Sequence, residues 1–312
     1  MTSALAAAGG PTAVAAVARR IRARVLKYTL ENNGGYLSQA CSAAELLATL
    51  YLRVLRLGPS IAPAVPLPFP GPPGPWNPLS FTGAGYNGPR APELDRFFFS
   101  PVHYALVLYS ALIEVGRLDA RGLDLFNQDG STVELIGAEH SPGHEVTAGS
   151  LAQCLSQAGG VALARRLRGE AGRVVVFLSD GELQEGQSWE AFAALAYKRL
   201  DNVLVYVDAN AQQCDGAMAD VGCIEPLAAR LAAFGARVVE VDGHDPEALA
   251  APAAWSPDGR PVVVIARTDP CRGLDLLRRR APRLHYVRFK SADEAAEYRV
   301  ALAALEADGG GA

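Results

Sequence analysis

Four stretches of the chain are apolar almost without interruption: RVVVFL (Arg173 to Leu178), NVLVYVD (Asn202 to Asp208), RVVEVD (Arg237 to Asp242) and PVVVIAR (Pro261 to Arg267). They are short, rich in β-branched residues and bounded by turn formers, as strands covered on both faces should be. Between the first two lies GQSWEAFAALAYKRL, where Trp189, Phe192, Ala193, Ala196 and Leu200 recur at helical spacing. Strand, helix, strand at this rhythm predicts an α/β fold: a parallel sheet with right-handed crossovers and helices on both faces. Upstream, Ala15 to Leu30 and Ser42 to Leu55 read as helices. The second is opened by Ser42 with Glu45 three residues on, the capping-box spacing.

The segment from Pro59 to Pro92 is different in character, carrying 11 of the 21 prolines. Proline excludes helix interiors and central strands, so the segment at about 58–92 is read as a surface insertion in a single domain spanning 1–312. Inside it, GAGYNG (Gly83 to Gly88) matches the dinucleotide fingerprint G-x-G-x-x-G. No strand precedes it and no helix follows, so the match is read as accidental. Residues 308–312 are read as a frayed tail.

Composition narrows the function classes. Of 312 residues, 50% are hydrophobic, enough for a sizeable core, and the formal net charge is -4. With no basic block read along the chain, nucleic acid is excluded as a partner. No apolar run reaches the roughly 18 residues of a membrane span, and the arginines of the Ala-rich start follow its apolar part, the wrong order for a secretory signal. A soluble cytoplasmic protein is expected, with no membrane contact. The five cysteines form no CxxC pair and are read as small core residues. No G-x-S-x-G elbow is present and only Lys27, Lys198 and Lys290 could form a Schiff base, which disfavours hydrolase and pyridoxal-phosphate chemistry.

The candidate chemistry sits at two strand ends. FLSDGELQEG (Phe177 to Gly186) delivers Asp180 just past one strand, and VDAN delivers Asn210 just past the next. Adjacent parallel strands emerge on one edge, where ligands bind, so the two oxygen donors can converge. A carboxylate, an amide oxygen and a backbone carbonyl suit Mg²⁺, whose remaining positions favour phosphate oxygens. Gly181 would let phosphates approach the backbone. The alternative is that Asp180 caps the helix starting near Gly186 and Asn210 makes a turn.

GSLAQCLSQAGGVALARRLRGE, then VVVFLSDGELQEGQSWEAFAALAYKRLDNVLVYVDANAQQCDG, then VDGHD (Val241 to Asp245) resemble the thiamine-diphosphate-binding half of the transketolase family. The likeness runs from about Val14 to near Leu305 and breaks only at the proline-rich insertion. It implies the parallel-sheet, pyrophosphate-type domain of that family. It also implies that Asp180, Asn210 and the main-chain carbonyl of Gln212 ligate Mg²⁺, which holds the diphosphate. His103, in FFFSPVHYAL, would lie by the diphosphate and thiazolium, and His285 would also contact diphosphate. Gly149 and Leu151 of GSL would touch the aminopyrimidine. Glu185 matches the glutamate that links to the partner's catalytic glutamate across the subunit interface. The two histidines rest on the resemblance rather than on spacing. The protein's tasks would be anchoring, proton handling and water exclusion.

Departures from the family concern the substrate side. The pattern GHxGGSLSAAE stands here as GYLSQACSAAE, placing Tyr36 where a substrate-handling histidine is expected. With an ordinary pKa of about 10, a tyrosine cannot shuttle protons near neutrality. A second substrate histidine falls at Ile136, with His140 near enough to substitute if the loop is reshaped. GDG has become SDG, and Ala152 and Cys154 replace GLGQG-like residues. No pyrimidine-binding half is present, so the resemblance implies a C-terminal-type partner subunit in an α2β2 assembly. The expected reaction is transfer of a two-carbon ketol unit from a small ketose or 2-oxo acid donor. Two alternatives stand beside it: decarboxylation or acyl transfer on the same cofactor, and a non-catalytic paralogue that keeps the fold as an interaction module.

Overall fold

The computed structural model describes residues 10–72, 74–77 and 81–307; the predicted tail at 308–312 lies outside them. In chain order the strands are β1 (Arg96–Phe99), β2 (Val174–Ser179), β3 (Val203–Ala209), the short antiparallel pair β4 (Gln212–Gln213) and β5 (Gly216–Ala217), β6 (Arg237–Asp242) and β7 (Val262–Arg267). The main sheet has the order β1-β2-β3-β7-β6 and every pairing in it is parallel. The four apolar runs fall on β2, β3, β6 and β7 within a residue of their predicted ends. β1 was not foreseen, because RFFF is too short to show a period before Ser100 and Pro101 end it.

Both faces of the sheet are covered over β1, β2, β3 and β7, which is why those strands are apolar without alternation. The edge strand β6, expected to be covered as well, is only half-buried, with Glu240 and Asp242 exposed. One core gathers Phe97, Phe99, Val175, Phe177 and Tyr206 beneath the helices α1 (Pro11–Glu31), α2 (Leu37–Thr49) and α3 (Ala105–Glu114). The other gathers Phe98, Val174, Val176, Val205 and Ile265 beneath α4 (Gln153–Leu167), α5 (Gly186–Tyr197) and the short helix Leu227–Ala233. Burying a Phe or Val side chain fully stabilises the fold by about 1.5–3 kcal/mol, so the central strands anchor everything their carboxyl ends carry. No described helix is long and apolar enough to cross a membrane.

The second helix corrects the sequence reading. It begins at Leu37, just past the bridge from Gly35 to Val287, so Ser42 and Glu45 lie inside it and form no capping box. Ser42 instead donates to Asp208 Oδ2 (2.6 Å), and Glu45 pairs with Arg22 and His244. The helix closes in a π-helical turn over Leu50–Val54. A capping box does occur where none was read: Ser179 and Glu182 cap a 3₁₀ turn over Asp180–Gln184, while α5 takes Glu185 at its N-cap without a side-chain bond.

The first part of the proline-rich segment lies against residues 119–132, held by Asp119 N to Ala64 O (2.8 Å), Phe69 N to Gly130 O (2.9 Å) and Thr132 Oγ1 to Leu67 O (3.0 Å). GAGYNG forms a 3₁₀ turn, with Gly83 packed so closely on the Ser141 carbonyl that a Cβ there would overlap it. That packing, rather than a phosphate, accounts for the glycine. Of the cysteines, Cys41, Cys154 and Cys271 are buried as expected, but Cys214 and Cys223 are exposed.

Candidate functional site

The carboxyl ends of β1, β2 and β3 open on one cavity of about 310 Å³. β1 leads through Ser100 and Pro101 into the turn carrying His103; β2 delivers Asp180 and Gly181; β3 delivers Asn210. Adjacent parallel strands put these groups on one rim because Ser179 stands level with Asp208 across the β2–β3 ladder.

Asp180 is only 3% exposed, yet its Oδ1 has no hydrogen-bond partner, while Oδ2 accepts from Ala211 N (2.7 Å). An unpaired buried carboxylate oxygen is costly and calls for an explanation. Burial, reinforced by the nearby Asp208 carboxylate, pushes the Asp180 pKa well above the ordinary carboxylate range. Asn210 is oriented by three neighbours: its amide nitrogen donates to Tyr104 OH (3.1 Å), Ser42 Oγ (3.3 Å) and Asp208 Oδ2 (3.3 Å). Its Oδ1 accepts from Gln212 N (2.9 Å) and keeps a second lone pair. The Gln212 side-chain oxygen is likewise buried without a partner. Beside them, a Cβ built on Gly181 meets no atom within 4 Å, so the protein's own packing does not require glycine there. A hard cation with a phosphate group fits this corner: orphaned oxygens, two carboxylates in need of positive charge, and open space along the Gly181 backbone.

Asp208 was not singled out in the sequence, although it stands in the same VDAN run. It is fully buried and accepts from Ser42 Oγ (2.6 Å), Thr268 Oγ1 (2.5 Å) and Tyr104 OH (3.1 Å), and burial raises its pKa. Glu182 was also missed, though S-x-x-E was legible. Its buried carboxylate accepts from Ser179 N (3.2 Å), from the Ser100 hydroxyl and from Ala152 N (3.4 Å), joining the ends of β1 and β2 to the loop that presents Gly149 and Leu151.

The opposite wall is aromatic. Tyr36 meets His103 and His285 edge-on, ring centroids 5.3 Å away in each case, and the two histidines lie 5.0 Å apart. Burial, helped by His285, depresses the His103 pKa to about 3, and burial also lowers that of His285. Both are therefore neutral near pH 7. Burial raises the Tyr36 pKa, leaving it a hydroxyl that donates rather than a base. Gly149, Leu151, Gly181, Glu185, Asn210 and Gln212 line the same cavity, with Glu185 exposed at its mouth. Ile136 lines it too, 43% exposed.

His140 is drawn elsewhere. Its Nε2 lies 3.0 Å from Glu134 Oε2 and its ring packs on Phe69 of the proline-rich segment (4.5 Å), away from the cavity lining. The sequence also concealed a basic run, Arg278 to Lys290, with six cations and no acid. Arg278, Arg279 and Arg280 are paired with Asp269, Glu297 and Glu294, which neutralises half of it.

The thiamine diphosphate binding domain of transketolase matches residues 84–274. The chain belongs to the transketolase family. It carries that family's cofactor-binding domain, and thiamine diphosphate is its cofactor. A transketolase family protein of Sinorhizobium fredii is 32% identical over 294 residues, covering 93% of this chain and 95% of that protein. One component of the apulose-4-phosphate transketolase of Actinobacillus succinogenes is 30% identical, covering 81% of this chain and 82% of its own length. The 6-deoxy-6-sulfo-D-fructose transketolase subunit of a Clostridium species is 29% identical, covering 80% and 83%. Against human transketolase-like protein 2 the chain covers only 37% of the relative. A transketolase structure from Pichia stipitis superposes over 96% of this chain and 45% of its own, with a TM-score of 0.68 at 23% identity, a likeness of fold.

Proposed function

We propose that this transketolase-family chain is the cofactor-binding subunit of a two-subunit, thiamine-diphosphate-dependent transferase that moves a two-carbon ketol unit. The observation that carries this reading is the buried, unpartnered Asp180 Oδ1 beside the open Gly181 wall. Asp180, Asn210 and the main-chain carbonyl of Gln212 would hold Mg²⁺, which fits the donor set. Bound there, thiamine diphosphate supplies a carbon nucleophile and electron sink for ketone chemistry. The chain's own residues then have separable tasks. Gly181 admits the diphosphate, Gly149 and Leu151 support the aminopyrimidine, His103 and His285 offer neutral ring nitrogens, and Glu185 at the mouth meets the partner's glutamate. Tyr36 donates a hydrogen bond to the donor substrate.

The split relatives, whose length this chain nearly spans, support a C-terminal-type partner subunit that completes the pyrimidine half. An α2β2 assembly in the cytoplasm and a single domain over 1–312 with an insertion at about 58–92 belong to the same proposal. The test is reconstitution. The chain mixed with its partner, thiamine diphosphate and Mg²⁺ cleaves a ketose phosphate or hydroxypyruvate donor; a pair that binds no thiamine diphosphate overturns the reading.

Tyr36 favours a second reading, decarboxylation or acyl transfer of a two-carbon unit, because a phenol replaces the histidine that handles sugar hydroxyls. Incubating the assembled pair with pyruvate and separately with a ketose phosphate, then weighing the cofactor adduct, distinguishes the two.

A further inference from the structure

Every residue of α2 is buried, so its polar side chains call for partners, and all but Thr49, whose Oγ1 has none, find one. Ser42 serves Asp208, and Glu45 serves Arg22 and His244. Gln39 serves His285. Where the pattern GHxGGSLSAAE has two glycines, this chain has Ser38 and Gln39, and a glycine has no side chain to make this contact.

The donors and acceptors here permit only one assignment. The main-chain carbonyl of His285 can only accept, so the Gln39 atom 3.1 Å from it is the amide nitrogen. At the other end, Gln39 Oε1 accepts from the Ser38 hydroxyl (3.0 Å), which agrees. That same amide nitrogen stands 3.2 Å from His285 Nδ1. An amide NH₂ can only donate, so Nδ1 must present its lone pair and the neutral ring must carry its proton on Nε2. Protonating Nδ1 would set two donors against each other.

We propose that Ser38 and Gln39 form a positioning device that locks His285 in its neutral Nε2–H tautomer, making it a fixed hydrogen-bond donor on the cavity wall. The other titratable groups around the ring are Tyr36 and His103, both edge or tilted neighbours, Tyr286 next in sequence, and Asp215 from the β4–β5 turn. Burial disfavours the imidazolium and so acts in the same direction. The consequence for cofactor binding rests on the function proposed above, in which His285 meets the diphosphate; the tautomer itself does not.

The experiment is a long-range ¹H–¹⁵N correlation on the full chain with ¹⁵N-labelled histidines, His285 being assigned with His285→Asn. Near pH 7 the parent shows the Nε2–H form alone. Gln39→Met, close in volume but without the amide, yields a tautomer mixture. Gln39→Glu, which places an acceptor at Nδ1, moves the proton there and raises the His285 pKa by about one unit or more. With the partner present, Gln39→Met and Ser38→Ala weaken thiamine diphosphate binding about fivefold, the scale of one misdirected hydrogen bond. If Gln39→Met folds and leaves tautomer and titration as in the parent, the device does not exist; Ser38→Ala supplies the same comparison should either Gln39 variant fail to fold. If the tautomer shifts but the assembled pair binds no thiamine diphosphate, the functional reading falls and this inference stands.

Discussion

Two walls of one cavity have been treated differently. The corner formed by Asn210 and Gly181 on the cavity lining, with Asp180 and Asp208 buried behind it, is built from strand ends and held by mostly buried hydrogen bonds. The wall facing it, Tyr36, Gln39, His103 and His285, comes from a helix start, a 3₁₀ turn and a late loop, and it departs from the family pattern at Tyr36, Ser38 and Gln39. A strand end has its position fixed by the ladder on both sides, so little can be altered there without losing the sheet. A helix start packed on a loop can exchange side chains in concert. The difference teaches where the chemistry is anchored and where its selectivity is set.

The comparison breaks most readily at Asp180. Asp180→Ala should weaken thiamine diphosphate binding at least about a hundredfold, because cation and diphosphate lose a charged ligand. The melting temperature of the free chain should hold or rise, since a buried carboxylate of raised pKa is removed. Calorimetric titration beside a thermal melt checks both. A large loss of stability with binding retained would make the corner structural.

Acid separates the walls by sign. His103 has a folded pKa of about 3, below the ordinary 6.5, so the unfolded chain binds its proton first as pH falls. Its contribution to stability is full above pH 6.5 and lost between there and about 3, amounting to about 2 kcal/mol by pH 5. Buried His144, pushed down to about 4, acts in the same sense. The anchor's carboxylates are shifted upward, and acid relieves them. Denaturant unfolding at pH 7.5 and pH 5 should show the change in stability on acidification to be about 2 kcal/mol more favourable in His103→Asn than in the parent.

Tyr36→His, returning the residue of the family pattern, should change the ratio of kcat/KM between donors about tenfold while thiamine diphosphate affinity stays within about twofold. Equal movement of both would mean that the two walls are not separable. The smallest effect belongs to His140→Ala: activity within about twofold and stability reduced by about 1 kcal/mol from its Glu134 and Phe69 contacts, measured by steady-state kinetics and denaturant titration.

The anchor was legible in the sequence because its logic is local. An apolar β-branched run that ends in Asp180, and another that ends in Asn210, specify both the strands and the edge at which the side chains emerge. The rest depended on contacts distant along the chain. Ser42 and Glu45 have capping-box spacing, but the helix already starts at Leu37, just past the Gly35–Val287 bridge, and their partners Asp208 and His244 lie far along the sequence. His140 follows Ile136 by four residues, in a loop where its ring packs on Phe69, from a segment about seventy residues earlier. Gln39 looks like a surface glutamine until α2 is seen to be enclosed on all sides.

That enclosure of α2 constrains how such a protein can diversify. A helix with no outward face drifts one residue at a time only at a cost, since a new polar group within it stays unpaired, as Thr49 Oγ1 is, unless its complement is already in place across the interior. Novel substrates would thus be reached by paired replacements linking the N-terminal and C-terminal parts of the chain, and reading residues 36–45 together with 268–286 becomes the way to sort this protein's kin by what they accept.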